Sequence, residues 1–553
     1  MPHSPSNPPS NDSLDAALSI PENELPLPPA PPALLTKPPS QRREALADAL
    51  IALSLANLCF IQAWFTLLFD EDFGYFNKLP ITRAALAGFL LNLLGASLVF
   101  WLLMRALRRV RCRWLRLGAN LAFCALSLIP LDFARFNFLL VTGGQIRDFL
   151  KHPLAIPLLL LCLAAWVHWH RPVTRAFRIV LLIFFPLVAF SVGHAAWLLA
   201  FPRVYAEPPA RPRPLTPPSV AASATRVIWM IFDELDERMV FTQRPASVRL
   251  PELDRLRANA LHAVNAFPPG NTTKTSVPAL TTGRPVSFAA PVSHNELALT
   301  LPNRRGTVGW STLPNVFSSA RQLGLQTALV GWYHPYARVF APDLDYCFWV
   351  PFPLFEQARD YTLAASMTHQ LWAVLEPLQH RRLLTRAYHS TLAHSLEAVT
   401  NAHYHLVFLH LPEPHLPGIY NAAKNRFTLL AFSRARSYLN NLALADRALG
   451  EMRRAMEQAA TWDSSWVMVS SDHWWRDSRC FDGKEDRRIP FLVKAPGLNP
   501  PQTFSAPMNT LVTHDLVLAI LRGQLTNARQ VPPWLTEHRI APPAEYNSAA
   551  LGE

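Results

Sequence analysis

The chain has 553 residues, half of them hydrophobic, with 51 prolines and a formal net charge of +13. That length predicts several domain-sized pieces. The charge sits in short clusters beside apolar runs, which favours a membrane surface, and no basic-aromatic stripe or zinc-finger spacing supports nucleic-acid recognition.

Residues 1–44 carry the run Leu25-Pro-Leu-Pro-Pro-Ala-Pro-Pro32 and read as a disordered, Pro-rich cytoplasmic tail. They show no basic region followed by an apolar stretch and cleavage site, so no signal peptide is expected. Residues 45–201 hold five apolar runs near bilayer-crossing length: Ala49–Leu68, Ala85–Leu107, Leu117–Phe136, Leu154–His170 and Ile179–Phe201. Asp132 and Arg135 in the third run are spaced to pair on one helix face. Basic clusters at Arg42–Arg43, Arg105–Arg116 and His170–Arg178 belong in the cytoplasm, and acidic Asp70–Asp72 belongs outside; Arg147 and Lys151 run against this pattern. Five spans with the N-terminus inside predict that everything after Phe201 lies outside the cytoplasm.

Residues 202–225 form a second Pro-rich segment, a semi-rigid linker. Residues 226–525 alternate short apolar runs with amphipathic helices. Strands are expected at Val227–Phe232, Thr327–Val330, His405–Leu409, Ser465–Val469 and Pro490–Val493, and helices at Leu253–Ala263, Val316–Gly324 and Ser437–Gln458. The pattern predicts an α/β/α domain with a mostly parallel central sheet covered on both faces. Residues 526–553 read as a loosely packed tail. Of the six cysteines, Cys347 and Cys480 alone fall in this later part; one disulfide and two thiols both remain open. No C-x-x-C pair marks a structural zinc site.

Ligands of such sheets bind at the carboxyl ends of the strands. The expected strands end in Asp233-Glu-Leu-Asp236, Gly331-Trp-Tyr-His334, His410-Leu-Pro-Glu-Pro-His415 and Ser470-Ser-Asp-His473. One strand-end Asp is commonly a helix cap; a carboxylate or imidazole at each of these ends points to a divalent cation of the zinc or manganese class. Between them lies a hydroxyl-rich turn, Thr272, Thr273, Thr275 and Ser276 around Lys274, at a loop-to-helix junction. Alone it reads as an N-cap; beside a metal, a threonine hydroxyl becomes a usable nucleophile.

These residues carry a family resemblance. Asp233-Glu234, then Pro251-Glu-Leu-Asp-Arg-Leu256, then the threonine stretch ending Leu280-Thr-Thr-Gly-Arg284, resembles the sulfatase branch of the alkaline-phosphatase superfamily. His410-Leu-Pro-Glu-Pro-His-Leu-Pro417 is similar to its H-x-P-H-x-P element, and Ser471-Asp-His473 to its S-D-H-G metal motif, with Trp474 in place of the glycine. With apolar spans in front, the chain resembles the membrane-bound relatives: phosphoethanolamine transferases, lipoteichoic acid synthases and a lipopolysaccharide regulator. The sulfatase nucleophile, a Cys or Ser modified to formylglycine, lies ten residues before the Gly of T-G-R. Here that position is Thr273, without the Pro and Arg of the modification signature. The transferase pattern T-x-x-S-x-P matches Thr273, Ser276 and Pro278; the K-T-S of the synthases would point to Thr275.

The resemblance implies a membrane-anchored, metal-dependent enzyme with Thr273 as nucleophile. Asp233, Glu234, Thr273, Asp472 and His473 would hold one divalent ion, zinc or manganese, with calcium or magnesium as alternatives. His415 and His334 would contact substrate, and Lys274, Lys484 and Arg487 are candidate oxyanion contacts. The implied partners are a phospholipid headgroup donor and an envelope lipid or glycan acceptor, water making the same machinery a phosphodiesterase. Two other readings stand beside it, a non-catalytic lipid-binding or sensing member and a sulfuric ester hydrolase. Oligomeric state is not legible.

Overall fold

The computed structural model describes residues 41–69, 74–130, 133, 146, 149–202, 225–302, 304–352, 356, 358–430 and 432–543. Ala47–Glu553 cluster as one unit and Met1–Leu46 as another, of which residues 41–46 are described, as the opening turns of a helix.

The N-terminal part is helical, but five spans are not reproduced. Among the described residues two helices are long and apolar enough to cross a membrane, Arg83–Arg109 and His170–Ala200; a pair bent by 66°, Arg42–Cys59 and Ile61–Leu68, makes a third if counted as one span. The expected fourth span is the 14-residue helix Ala155–His168. At about 1.5 Å per residue that gives about 21 Å, short of the about 30 Å of hydrocarbon. The third begins as Arg113–Leu126; Asp132, Arg135, Asp70–Asp72 and Arg147 lie outside the described residues. Helix Arg83–Arg109 exposes Leu91, Leu94, Leu98, Leu102 and Leu103, a stripe suited to lipid. Arg108 donates to buried Asp48 at 2.8 Å, and Arg178 pairs with the same carboxylate. Those two basic helix ends therefore lie on one side of the bundle.

The C-terminal part is built on one eight-stranded sheet: β1 (Arg226–Phe232), β2 (Leu261–Ala263), β3 (Thr327–Trp332), β4 (Tyr346–Val350), β5 (Leu406–Leu411), β6 (Ser465–Ser471), β7 (Leu492–Lys494) and β8 (Gln502–Phe504), in the order β8-β2-β7-β6-β1-β5-β3-β4. Strands β6, β1, β5, β3 and β4 run parallel, and β7 runs antiparallel to both β6 and β2. The side chains of β1 alternate between two cores. Val227, Trp229 and Ile231 face one, and Ile228, Met230 and Phe232 the other. Burial on both faces is why β1 is an unbroken apolar run. The helical periodicity of Leu253–Ala263 holds only over Pro251–Arg257; the chain then turns and pairs as β2.

The two parts share packing. Asn92 donates to Met367 O and Gln370 Oε1, each at 3.0 Å, and Gln370 returns a bond to Ala85 O. Gly88 faces this segment at a spot where a Cβ would stand 3.3 Å from Met367 Cγ and 3.4 Å from Ser366 Cβ. The Cys347 and Cys480 thiols are not bridged.

The expected loose tail is corrected in its first half. Asn527 caps a short turn, helix Val531–His538 follows, and Val531 and Leu535 are buried in the main core. Leu535→Ala is therefore expected to destabilise the α/β domain by about 2–4 kcal/mol. The check is a lowered thermal midpoint; an unchanged midpoint would return 526–538 to the status of a tail.

Candidate active site

Parallel neighbours β1 and β6 end side by side and aim Asp233 and Asp472 at one point. Ser471 ties the two ends, its hydroxyl donating to Phe232 O at 2.7 Å and accepting Leu235 N–H at 2.8 Å. The chain then turns at Glu234 with φ +66°, an unfavourable left-handed conformation for a residue bearing a Cβ. The turn is held by its neighbours. Glu234 N–H reaches Asp472 Oδ1 at 3.3 Å, and Tyr438 O–H donates to Glu234 O at 2.8 Å while its ring stacks on Trp475. The Glu234 carboxylate pairs with Arg476 at 3.2 Å.

Thr273 is the first residue of helix Thr273–Thr282, entered from extended Thr272. Its Oγ1 lies 2.8 Å from Asp472 Oδ2, 3.3 Å from Asp233 Oδ2 and 3.5 Å from His473 Nε2. Thr275 turns away: its Oγ1 donates to Thr272 O at 3.1 Å, against Gly270, where a Cβ would stand 2.5 Å from that oxygen. The helix N-terminus adds free N–H groups and a positive dipole end beside Thr273.

The electrostatics of the cluster ask for a cation. Asp233, His410 and Asp472 each place a ligand atom within 4.8 Å of the others. Burial, then Asp472 and Glu234, push the Asp233 carboxyl well above its usual range, and burial pushes His410 and His473 down to about 3. Both imidazoles are neutral at pH 7. The His473 Nδ1–H donates to Trp474 O at 3.0 Å, which leaves a lone pair on Nε2. That lone pair faces Asp472 Oδ2 at 3.4 Å and Asp233 Oδ1 at 3.7 Å. Asp233 Oδ1 and His410 Nε2 are buried without a hydrogen-bond partner among the described residues. His410 Nδ1 is engaged with Tyr336 Oη at 2.7 Å, which leaves Nε2 as the ring nitrogen open to the cluster. Carboxylates and imidazole nitrogens converging in a dry site fit a divalent metal. His410, placed at a strand end by the sequence but given no ligand role, joins the expected set, while the Glu234 carboxylate is engaged by Arg476.

A pocket of about 280 Å³ opens onto this cluster, lined by Asp233, Thr272, Thr273, Lys274, Trp332, Tyr333, Phe352, His415 and Arg476. Lys274 and His415 thus stand where a substrate contact was expected. His334 does not. It is fully buried, with Nδ1 3.3 Å from Tyr75 Oη and Nε2 3.2 Å from Thr273 O, so both nitrogens are spent on protein. Lys484 is exposed beside Asp482, its carbonyl taken by Arg238, and Arg487 lies over the Trp474 ring; neither lines the pocket. Trp474 packs with Phe267 and Ile489 and leaves the pocket open. Arg476 was missed by the sequence reading; its signal was the lone cation three residues after the Ser-Asp-His motif.

The buried acids give a pH signature. Burial raises Asp236 from 3.8 and Glu413 from 4.5, each to about 8. A carboxyl raised on folding stabilises below its unfolded pKa, and that stability is lost as pH rises toward 8. The imidazoles, depressed from 6.5, act oppositely and only below about 6.5. Stability of the chelator-treated protein is thus expected to fall between about pH 6.5 and 8, and Asp236→Asn to flatten the fall. A thermal midpoint constant or rising over that window would contradict the assignment.

No curated protein matches the chain in sequence. Among solved structures the chain is similar, at low identity, to the following. Ps i-CgsB in complex with a neocarrahexaose is 18% identical with a TM-score of 0.41, over 57% of this chain and 77% of that one. The phosphonate monoester hydrolase SpPMH from Silicibacter pomeroyi is 15% identical with a TM-score of 0.34, over 58% and 78%. The lipoteichoic acid synthase LtaP from Listeria monocytogenes is 15% identical with a TM-score of 0.36, over 55% and 73%. The sulfatase family profile matches residues 226–522, more than half of the 553 residues. The chain belongs to the sulfatase family.

Proposed function

We propose that this is a membrane-anchored, metal-dependent phosphotransferase that moves a phospholipid headgroup to an envelope lipid or glycan through a phospho-threonine at Thr273. The observation that carries the reading is the Thr273 hydroxyl, 2.8 Å from Asp472 Oδ2 at the mouth of a pocket bearing Lys274 and Arg476. Threonine cannot yield the formylglycine aldehyde on which sulfate-ester hydrolysis in this family depends, so phosphoryl chemistry is favoured over sulfuryl chemistry.

Asp233, Asp472, and His410 or His473 would hold the metal, which supplies Lewis-acid stabilisation of charge and a lowered hydroxyl pKa. Thr273 gives its proton to the carboxylate cluster as Oγ bonds to phosphorus, and the phosphorus–oxygen bond to the diacylglycerol breaks; that oxygen leaves with a proton. In the second half an acceptor hydroxyl attacks the phospho-threonine, and Thr273 regains its proton. Lys274 and Arg476 supply positive charge beside the developing phosphorane. His415 has its Nδ1–H committed to Leu416 O at 2.5 Å, and burial holds its pKa down to about 4. Its free Nε2 can therefore only accept, which suits it to take the proton of the acceptor hydroxyl rather than to bond an oxyanion. The long apolar helices with exposed leucines supply the anchoring this substrate class needs.

Mass spectrometry of the full chain purified with its own lipids is expected to find an added headgroup mass on a peptide containing Thr273. Thr273→Ala should abolish the adduct and lower turnover by about 10³-fold or more, while Thr275→Ala stays within about 10-fold. An adduct on Thr275, or an undiminished Thr273→Ala enzyme, would overturn the assignment. Metal analysis supplies the companion result: Asp472→Asn loses its divalent ion and Glu234→Gln keeps it.

A further inference from the structure

We propose that Tyr75, on the loop joining the first apolar helices, is a positioning residue for the active-site threonine, acting through His334 on the first turn of helix Thr273–Thr282. The inference rests on the reading of Thr273 as nucleophile. Tyr75 is fully buried, 259 residues away in sequence from the histidine it meets. The direction of the hydrogen bonds follows from chemistry. A carbonyl oxygen only accepts, so His334 Nε2, 3.2 Å from Thr273 O, carries the hydrogen. With the hydrogen on Nε2, the uncharged ring offers Nδ1 as an acceptor. Tyr75 must then donate its O–H to Nδ1 at 3.3 Å, and burial keeps that hydroxyl protonated. The result is one directional chain, Tyr75 O–H to His334, His334 N–H to Thr273 C=O, ending on the residue whose hydroxyl faces Asp472.

The loop is built in rather than resting against the domain. Arg338 donates to the carbonyls of Gly74 at 3.2 Å and Asn77 at 2.7 Å, and Lys78 Nζ donates to Trp349 O at 3.0 Å. Phe76 packs 4.8 Å from Tyr333, which lines the pocket. His334 is braced on its other side by Trp310 at 4.9 Å. Adjacent residues of the membrane-side loop thus contact adjacent residues at the end of β3. Tyr333 there takes φ +75°, which turns His334 toward the helix.

The test uses the full chain in mixed micelles of phosphatidylethanolamine and phosphatidylglycerol, reading diacylglycerol release. Tyr75→Phe removes one oxygen and keeps the ring. It should lower kcat about 10-fold or more with KM nearly unchanged, at unaltered metal content. His334→Ala should do the same, and the double variant should fall no further than the lower single, because both act through one chain. Hydrogen exchange gives a readout independent of turnover: amides of residues 273–276 should exchange faster in Tyr75→Phe. A purely structural tyrosine would lower the thermal midpoint while kcat per folded molecule and exchange at 273–276 stayed as in the parent; that result overturns the inference. If Thr273→Ala releases diacylglycerol at the parent rate, the nucleophile reading fails instead. If Thr273→Ala is silent and Tyr75→Phe retains kcat, the Tyr75 inference alone fails.

Discussion

The structure turns on a cluster of carboxyl groups withdrawn from water. Asp233, Glu234 and Asp472 converge at the carboxyl ends of two neighbouring parallel strands, each buried. Among the described residues Arg476 pairs with Glu234, and the other two carboxylates face the His473 Nε2 lone pair. An arrangement of that kind is unstable by itself, and burial of unpaired charge is among the costliest defects a fold can carry. It makes physical sense as a receptacle for a cation, with the Thr273 hydroxyl placed among the same oxygens. The rest of the domain can be read as what forces those groups together: a sheet buried on both faces, Ser471 bridging two strand ends, and the helix of Tyr438 closing over the Glu234 turn.

Two of the strand ends pass through left-handed conformations at residues that are not glycine, Glu234 after β1 and Tyr333 after β3. Each costs of order 1–3 kcal/mol and persists only where surrounding contacts over-determine it. At Glu234 those contacts are the Tyr438 hydroxyl and the Asp472 carboxylate; at Tyr333 they are Val350 O, which accepts its N–H, and the ring of Phe76. Both turns re-aim the flanking residue, Asp233 or His334, at the start of helix Thr273–Thr282. Strain is thus concentrated where the geometry of the hydroxyl is set.

The parts of this architecture that were legible in sequence are those governed by burial. Strands β1, β3, β5, β6 and β7 are apolar runs because the sheet is covered on both faces, and their polar ends stand out against that background. The short strands β2, β4 and β8 lay near the sheet edges, and three to five residues are too few for a period to declare itself. The five expected spans are not confirmed among the described residues, because hydropathy does not distinguish a crossing helix from a short one such as Ala155–His168. Asp233, Thr273, Asp472 and His473 come together as their motifs implied, since each motif fixes a strand or helix terminus. His334 was misjudged for a reason no local pattern contains: its partners are Tyr75 and the Thr273 carbonyl, both far away in sequence.

That last contact bears on how the two parts of the chain relate. A tethered catalytic domain needs only its linker, and any encounter with lipid is then a matter of reach. Here hydrogen bonds cross the junction from Arg338 to Gly74 O, from Arg359 to Leu79 O, from Asn92 to Gln370 Oε1 and from Gln370 to Ala85 O. Buried polar groups satisfied only by the opposite part cannot separate without exposing unpaired donors and acceptors, each worth about 1–3 kcal/mol. The junction therefore behaves as part of the fold, and the pocket mouth is held at a fixed attitude to the helices that anchor it. Under the function proposed above, fixed attitude matters more than reach, because a headgroup presented by a membrane would arrive at a defined depth and the Thr273 hydroxyl would have to meet it there.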